Sequence, residues 1–462
     1  MFIVLSLSVL CLFFAGYVAT SFLRAGGGLF DRFALTLGLG ILADYILVMS
    51  GLPLTNVLAI VSILAVFGAL MFAIDVIRRR RNGETRQREP VLTAACCIAY
   101  LLGVYYFFVF SEPLMRWDAR SVWFLHAKMI WIEGALRGDG WVHPSLAFSS
   151  PDYPKLVPAI AAQLGALNGY WNEFFPKGSL LVMLVPLLLW VFSFRKKAVS
   201  FLLLAMMFFF SLDAWLANGY MDGYLAMYCG VALLLFGRYA AEGRDADLHS
   251  AICAAGIAAC LKNEGVLFGV CLTTTLVLLA ARHPVVGLRQ FVRRLSATPR
   301  FAAVLLLAVA PTLIWTLRKR AWGLENHITG DLSTLVSRLM DRLTDGSTPE
   351  FILRNLTTEA TAIWVVVGLL AATLMFVAYQ RAPVHRGALV AAATSVLYFC
   401  GIYTAYLGTP TGLGFHLTTS AGRTMATASV GLLVCLYFLL TGLEASDATA
   451  GETSSAARRE GR

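Results

Sequence analysis

The sequence predicts an all-α polytopic membrane protein, and three observations carry that prediction. Of its 462 residues, 58% are hydrophobic and 14% are charged, whereas a soluble domain carries charge on roughly a quarter of its positions. Apolar runs of about 20 residues recur along the chain, long enough to cross a hydrocarbon core ~30 Å thick. The basic residues gather in the short breaks between those runs, as in Arg78-Arg79-Arg80-Arg81 and Arg195-Lys196-Lys197. The net charge of +10 therefore reports topology rather than nucleic acid. A soluble enzyme, a disordered chain and a nucleic-acid-binding domain are excluded.

The runs place about thirteen transmembrane helices, near 2–22, 33–51, 56–77, 91–111, 178–194, 198–215, 223–240, 249–262, 264–281, 300–317, 360–379, 387–407 and 424–442. Helices are the default because a lipid-exposed backbone must satisfy its own hydrogen bonds. The first run lacks a basic n-region, and its first positive charge, Arg24, follows the apolar stretch; this predicts a retained helix with its N-terminus outside. With loop 78–90 inside, the inner loops and tail hold 23 of the 37 Lys and Arg residues, the bias of cytoplasmic loops. All nine Cys fall within apolar runs without a CxxC pair, so neither a disulfide framework nor a metal site is read.

Two long segments, 112–177 and 318–359, fall outside. The first holds five of the ten Trp, residues that favour the membrane–water boundary. Within it, 156–169 is apolar but short of a span, which predicts a helix lying in the outer interface. In the second, Leu332, Leu335, Val336, Leu339, Met340 and Leu343 form one stripe of an amphipathic surface helix, with Arg338, Asp341 and Arg342 on other faces. The tail 443–462 is rich in Ala, Ser, Thr and Arg and reads as disordered.

The ionisable residues gather at the outer face. Asp118 follows Trp117 and lies between Arg116 and Arg120. It is either a carboxylate poised to take a proton or an ordinary surface ion pair worth at most about 1 kcal/mol. Pro151-Asp152-Tyr153-Pro154-Lys155 is stiffened by its two prolines, and Lys155 either meets a phosphate or snorkels to anionic lipid. Asp222, Lys262 and Glu264 stand at the ends of apolar runs, where a charge is costly, and Lys262 can neutralise Glu264. Arg423 heads the last span, against the helix dipole, where with the helix amides it suits an anion. His416 nearby fits a hydrogen-bonded structural role as well as a ligand. Arg318-Lys319-Arg320 breaks the positive-inside pattern and suggests something anionic outside.

Taken in order, Trp117-Asp118-Ala119 with Trp123, Asp152-Tyr153-Pro154-Lys155-Leu156, Tyr220-Met221-Asp222-Gly223, Leu261-Lys262-Asn263-Glu264-Gly265 and His416-Leu417-Thr418-Thr419-Ser420 ahead of Arg423 resemble the GT-C-type membrane glycosyltransferases that use polyprenyl-phosphate sugars. The resemblance covers roughly residues 100–440. It implies extra membrane helices over 1–90, a catalytic transmembrane region over 91–442 and a cytoplasmic tail. It also implies Asp118 as the catalytic base, phosphate contacts from Lys155 and Arg423, and a substrate pocket drawing on Trp117, Arg120, Asp152, Tyr153, Asp222, Lys262, Glu264, Arg318 and His416. Two features depart from the family: three helices precede the one entering the first long loop, and no large outer domain follows the last helix.

The implied reaction passes a sugar from a polyprenyl-phosphate donor to a glycan or glycolipid acceptor at the outer face of a bacterial inner membrane, with inversion. Membrane lipids are its other partners, and nucleic acid is none. No histidine cluster supports a divalent metal. A transporter or flippase of lipid-linked sugars is the first alternative, although such proteins place charges near the midplane and show related halves. A surface-polysaccharide polymerase or ligase is the second, differing in its donor.

Overall fold

The computed structural model describes residues 2–23, 27–82, 91–138, 140–194, 205–207, 216–280, 299–324, 332–359, 361–380 and 384–460. Among them every regular element is helical. In chain order they are α1 (Phe2–Leu23), α2 (Leu29–Met49), α3 (Leu54–Arg81), α4 (Val91–Ser111), α5 (Phe124–Glu133), α6 (Leu156–Asn168), α7 (Gly178–Ser193), α8 (Asp222–Glu242), α9 (Asp245–Ala259), α10 (Asn263–Ala280), α11 (Pro299–Ala321), α12 (Leu332–Thr344), α13 (Ser347–Glu359), α14 (Thr361–Tyr379), α15 (Arg386–Gly408) and α16 (Leu413–Glu460).

Nine of these helices, α1–α4, α7, α8, α11, α15 and α16, are long and apolar enough to cross a membrane. The chain is thus a multi-pass membrane protein. Three further expected spans correspond to α9, α10 and α14, and the run 198–215 lies largely outside the described residues. The last helix continues as backbone helix to Glu460, through the segment expected to be disordered; its Ala, Glu and Arg residues have high helix propensity.

Glycines set the closest helix contacts. A Cβ on Gly16 would sit 1.9 Å from the Thr36 carbonyl oxygen, one on Gly40 1.9 Å from that of Leu12, and one on Gly68 1.9 Å from that of Phe14. α1 thus lies backbone to backbone against α2 and α3, the small-residue packing that replaces a hydrophobic driving force inside lipid. Gly40→Ala should therefore lower the thermal midpoint in detergent by the equivalent of about 1–3 kcal/mol. Gly103→Ala, whose Cβ would meet nothing within 4 Å, should leave it in place.

Buried polar links hold the centre. The Tyr105 hydroxyl on α4 meets that of Tyr224 on α8 at 2.5 Å, and Tyr224 and Tyr228 reach the Leu180 and Met183 carbonyls of α7 at 2.7 and 2.8 Å. At the opposite end from the long loops, Arg238 bridges Asp31 of α2 and Asp247 of α9 at 3.1 and 2.6 Å. This ion cluster fixes the ends of α2, α8 and α9.

Both long loops carry helices. Residues 156–165 of α6 are all buried, packed among α5, α7 and α2, so that protein rather than lipid surrounds the helix. Its apolar sides meet apolar neighbours, and its buried polar side chain, Gln163, donates to the Asp44 carboxylate of α2 at 2.8 Å. α12 is the amphipathic helix expected, with Val336, Met340 and Leu343 exposed. Its arginines also tie it to α15, since Arg338 donates to the Gly408 carbonyl at 2.9 Å, and Arg342 to those of Tyr406 and Leu407 at 3.1 Å. They satisfy the orphan carbonyls that end α15.

Candidate functional site

The charged residues at the end of the bundle that carries the first long loop form one chain. Asp118 precedes a single π-helical turn, Ala119–Trp123, a local irregularity of the kind that often aims a functional side chain. Gly219, at φ +89°, lets the segment before α8 approach so closely that an added Cβ would lie 2.8 Å from that of Ala119. Asp222, the first residue of α8, is thereby brought beside Asp118. Arg423 then pairs with the Asp118 carboxylate and lies 3.7 Å from Asp222, with its guanidinium 5.0 Å from the centre of the Tyr220 ring. Lys262 continues the chain, 2.8 Å from Asp222 and 2.9 Å from Glu264.

Exposure grades along this chain. The Asp118 side chain is 26% exposed and Arg423 13%, whereas Lys262, Glu264 and Asp222 are at 7%, 6% and 3%. Three carboxylates face two cations, so the partly exposed Asp118 is the one that can be displaced without stranding a buried charge. Asp222 Oδ2 and Glu264 Oε2 are buried without hydrogen-bond partners among the described residues.

An aromatic wall closes one side. Tyr153 stacks on Trp123 with ring centres 5.4 Å apart and planes 3° from parallel, and Lys262 Nζ lies 5.6 Å from the Tyr153 ring centre. Behind it, Asn263 donates to the Asp152 carboxylate at 2.7 Å and accepts from Lys319 at 3.4 Å. Asp152 Oδ1 is a third buried oxygen without a partner among the described residues.

The structure thus unites Asp118, Tyr153, Asp222, Lys262, Glu264 and Arg423, with Asp152 one residue behind. The expected Lys262–Glu264 pairing is present. Other expected site residues stand elsewhere. Trp117 is exposed and leans on Phe148, and Arg120 is exposed. Arg318 reaches the Leu136 carbonyl at 3.4 Å and covers Trp322, while its neighbour Lys319 is the member of the basic triplet that approaches the cluster. His416 meets Thr409 at 3.0 Å beside Tyr406, which fits its structural reading. Arg423 lies well inside α16 and not at its N-terminus, because the helix begins at Leu413; the argument from helix amides does not apply there.

Lys155 is the largest correction. Its side chain is fully buried, and Nζ donates to the Pro151 carbonyl at 2.8 Å and faces His126 Nδ1 at 3.1 Å, with Trp141 and Trp315 over it. Two of its three N–H donors are taken, and the ammonium has no contact with solvent. Burial pulls its ammonium well below the usual lysine range, with the Asp152 carboxylate opposing. His126 is buried as well; its Nε2 faces the Ser149 hydroxyl at 3.2 Å, and burial, aided by the Lys155 charge, holds its pKa well below 6.5.

That depression fixes a pH dependence. Below about pH 6.5 the unfolded chain takes up a proton that the buried imidazole refuses, so stability falls as pH falls. His126 should contribute about 1.4 kcal/mol of lost stability between about pH 7.5 and 5.5, read as a drop in the thermal midpoint, beside a loss of the same sign from Lys155. His126→Gln keeps a donor and an acceptor at that place and should flatten the slope; a slope unchanged in that variant would assign it to other groups.

Missed by sequence reasoning are Tyr220 as a cover for Arg423, the stacking role of Trp123, and Asn263 with Lys319. One signal is available: Trp315 and Lys319 are four residues apart, on one face of α11, and Trp315 donates to the Asp152 carbonyl at 3.0 Å. Among the described residues no group of three or more His, Cys, Asp and Glu is arranged to hold a metal ion. No family profile, curated relative or solved structure matches the chain.

Proposed function

We propose that the protein transfers a sugar from a polyprenyl-phosphate donor to a glycan or glycolipid acceptor, at a site on the periplasmic face of a bacterial inner membrane. In this reading the chain crosses the membrane about thirteen times in a GT-C-like arrangement. One observation carries the proposal: a partly exposed carboxylate, Asp118, is paired with a guanidinium, Arg423, that is itself backed by buried charges.

The chemistry asks for two groups. A lipid monophosphate, with a second pKa near ~6, leaves without a general acid, so the leaving side needs a cation more than a proton. Arg423 is that cation, held in place by Asp222 and Tyr220. The attacking side needs a base, a role worth about 10²–10⁴-fold. Donor phosphate binding at Arg423 displaces Asp118, whose carboxylate then takes the acceptor hydroxyl's proton. The acceptor oxygen bonds to the anomeric carbon as the bond to phosphate breaks, from the opposite face, with inversion. The Trp123–Tyr153 wall offers a stacking surface to the sugar ring.

The test uses purified protein in vesicles, supplied with sugar-labelled polyprenyl monophosphates and membrane glycolipid acceptors. Label on the acceptor with release of polyprenyl phosphate is the expected result. Label that crosses the bilayer still attached to its lipid would replace the enzyme reading with a transporter. Reaction of diphosphate-linked chains alone would replace it with a polymerase or ligase.

A further inference from the structure

A second cluster of cations lies at the other end of the bundle. There, α1, α2 and α3 surround a cavity of about 600 Å³, within the range of small-molecule sites. Arg32, Arg78 and Arg79 line it with Asp75, so the lining charge is +2. The Tyr17 hydroxyl donates to Asp75 at 2.7 Å, which occupies part of that carboxylate. The apolar wall is aromatic: Phe72 meets Tyr17 edge-on with centres 5.2 Å apart, and Phe13 meets Phe33 in the same way at 5.3 Å.

Depth sets what such a cavity meets. At 1.5 Å per residue, Arg78 lies about 36 Å along α3 from Leu54, beyond a hydrocarbon core of about 30 Å. Arg78 and Arg79 therefore reach the headgroup layer, while Phe72 and Phe13 face the region of the chains. Guanidinium groups above an aromatic wall, at the level of lipid phosphates, match an anionic phosphate ester on a long apolar chain.

We infer that this cavity is a binding site for an anionic phosphate-bearing lipid, separate from the Asp118–Arg423 cluster and at the opposite end of the membrane domain. The phosphate lies between Arg32 and Arg79 and the chain lies along Phe72 and Phe13. The same chemistry is offered by an anionic phospholipid of the bilayer and by a polyprenyl monophosphate.

The test is native mass spectrometry of the purified full chain with phosphatidylglycerol, a polyprenyl monophosphate and zwitterionic phosphatidylcholine as probes. Arg32→Gln/Arg79→Gln should weaken retention of the anionic probe by roughly fivefold per arginine removed. Arg80→Gln/Arg81→Gln removes the same charge outside the cavity lining and should weaken retention clearly less than the cavity pair does. Ser21→Trp fills the cavity with all arginines in place and should also abolish retention. Each variant must elute as a monodisperse species with the wild-type thermal midpoint, and either of the two cavity variants that does so suffices. Retention of phosphatidylglycerol identifies a bilayer lipid, and retention of the polyprenyl monophosphate alone identifies a carrier lipid. Equal losses in both double arginine variants would reduce the effect to diffuse surface charge and overturn the site, as would wild-type retention in the cavity variants.

Discussion

Replacing Lys262 with methionine is expected to remove most of the folded protein. Asp222 and Glu264 are 3% and 6% exposed, and both depend on the Lys262 ammonium at 2.8 and 2.9 Å. Methionine keeps the volume of the stem but leaves two carboxylates in a low-dielectric environment with one distant cation, Arg423, 3.7 Å from Asp222. Removing one partner of such a buried group costs about 3–5 kcal/mol, a large fraction of what a protein has. Monodisperse yield and thermal midpoint in detergent read this directly. The triple variant Lys262→Met, Asp222→Asn, Glu264→Gln removes all three charges and should recover most of the loss, because neutral side chains of similar shape do not strand a charge. A stable Lys262→Met variant would mean that water reaches the cluster and that its burial has no energetic weight.

Nine of the expected spans are legible because hydropathy reports on them directly. Where the sequence misleads, the physical reason is specific. The run 156–165 is apolar except for Gln163, and composition cannot distinguish a helix surrounded by lipid from one surrounded by protein. Lys155 looks like a headgroup contact because lysine is rarely buried, yet its loop supplies a carbonyl, an imidazole and an indole, and α11 adds the Trp315 indole. Arg423 reads as a helix start because hydropathy rises there, whereas the helix begins well before it, at Leu413, among polar residues that do not interrupt it. Residue types are legible but pairings are not. Asp118 has Arg116 and Arg120 beside it in sequence, and its partner is 305 positions away. That pairing depends on how α8, α16 and the π-helical turn pack, and no local pattern encodes it.

The Asp118–Arg423 pair makes the two halves of the proposed chemistry separable. Asp118→Asn removes the base and should lower kcat by about 10²–10⁴-fold. It also removes the group that competes with the donor phosphate for Arg423, so the donor KM should stay level or fall. Arg423→Gln does the opposite to binding: it removes the charge that holds the phosphate and stabilises the leaving group, so KM should rise and kcat/KM should fall by at least about 10²-fold. It also relieves Asp118 of its partner, so the loss is concentrated in donor recognition and departure. The double variant should be far less impaired than the product of the two single losses, as expected of residues that act as one unit. If Asp118 only orients Arg423, its amide isostere still accepts a hydrogen bond from the guanidinium, and kcat would change by a few-fold alone. The split between kcat in one variant and KM in the other therefore distinguishes a base from a structural partner. A mere loss of activity in both would not.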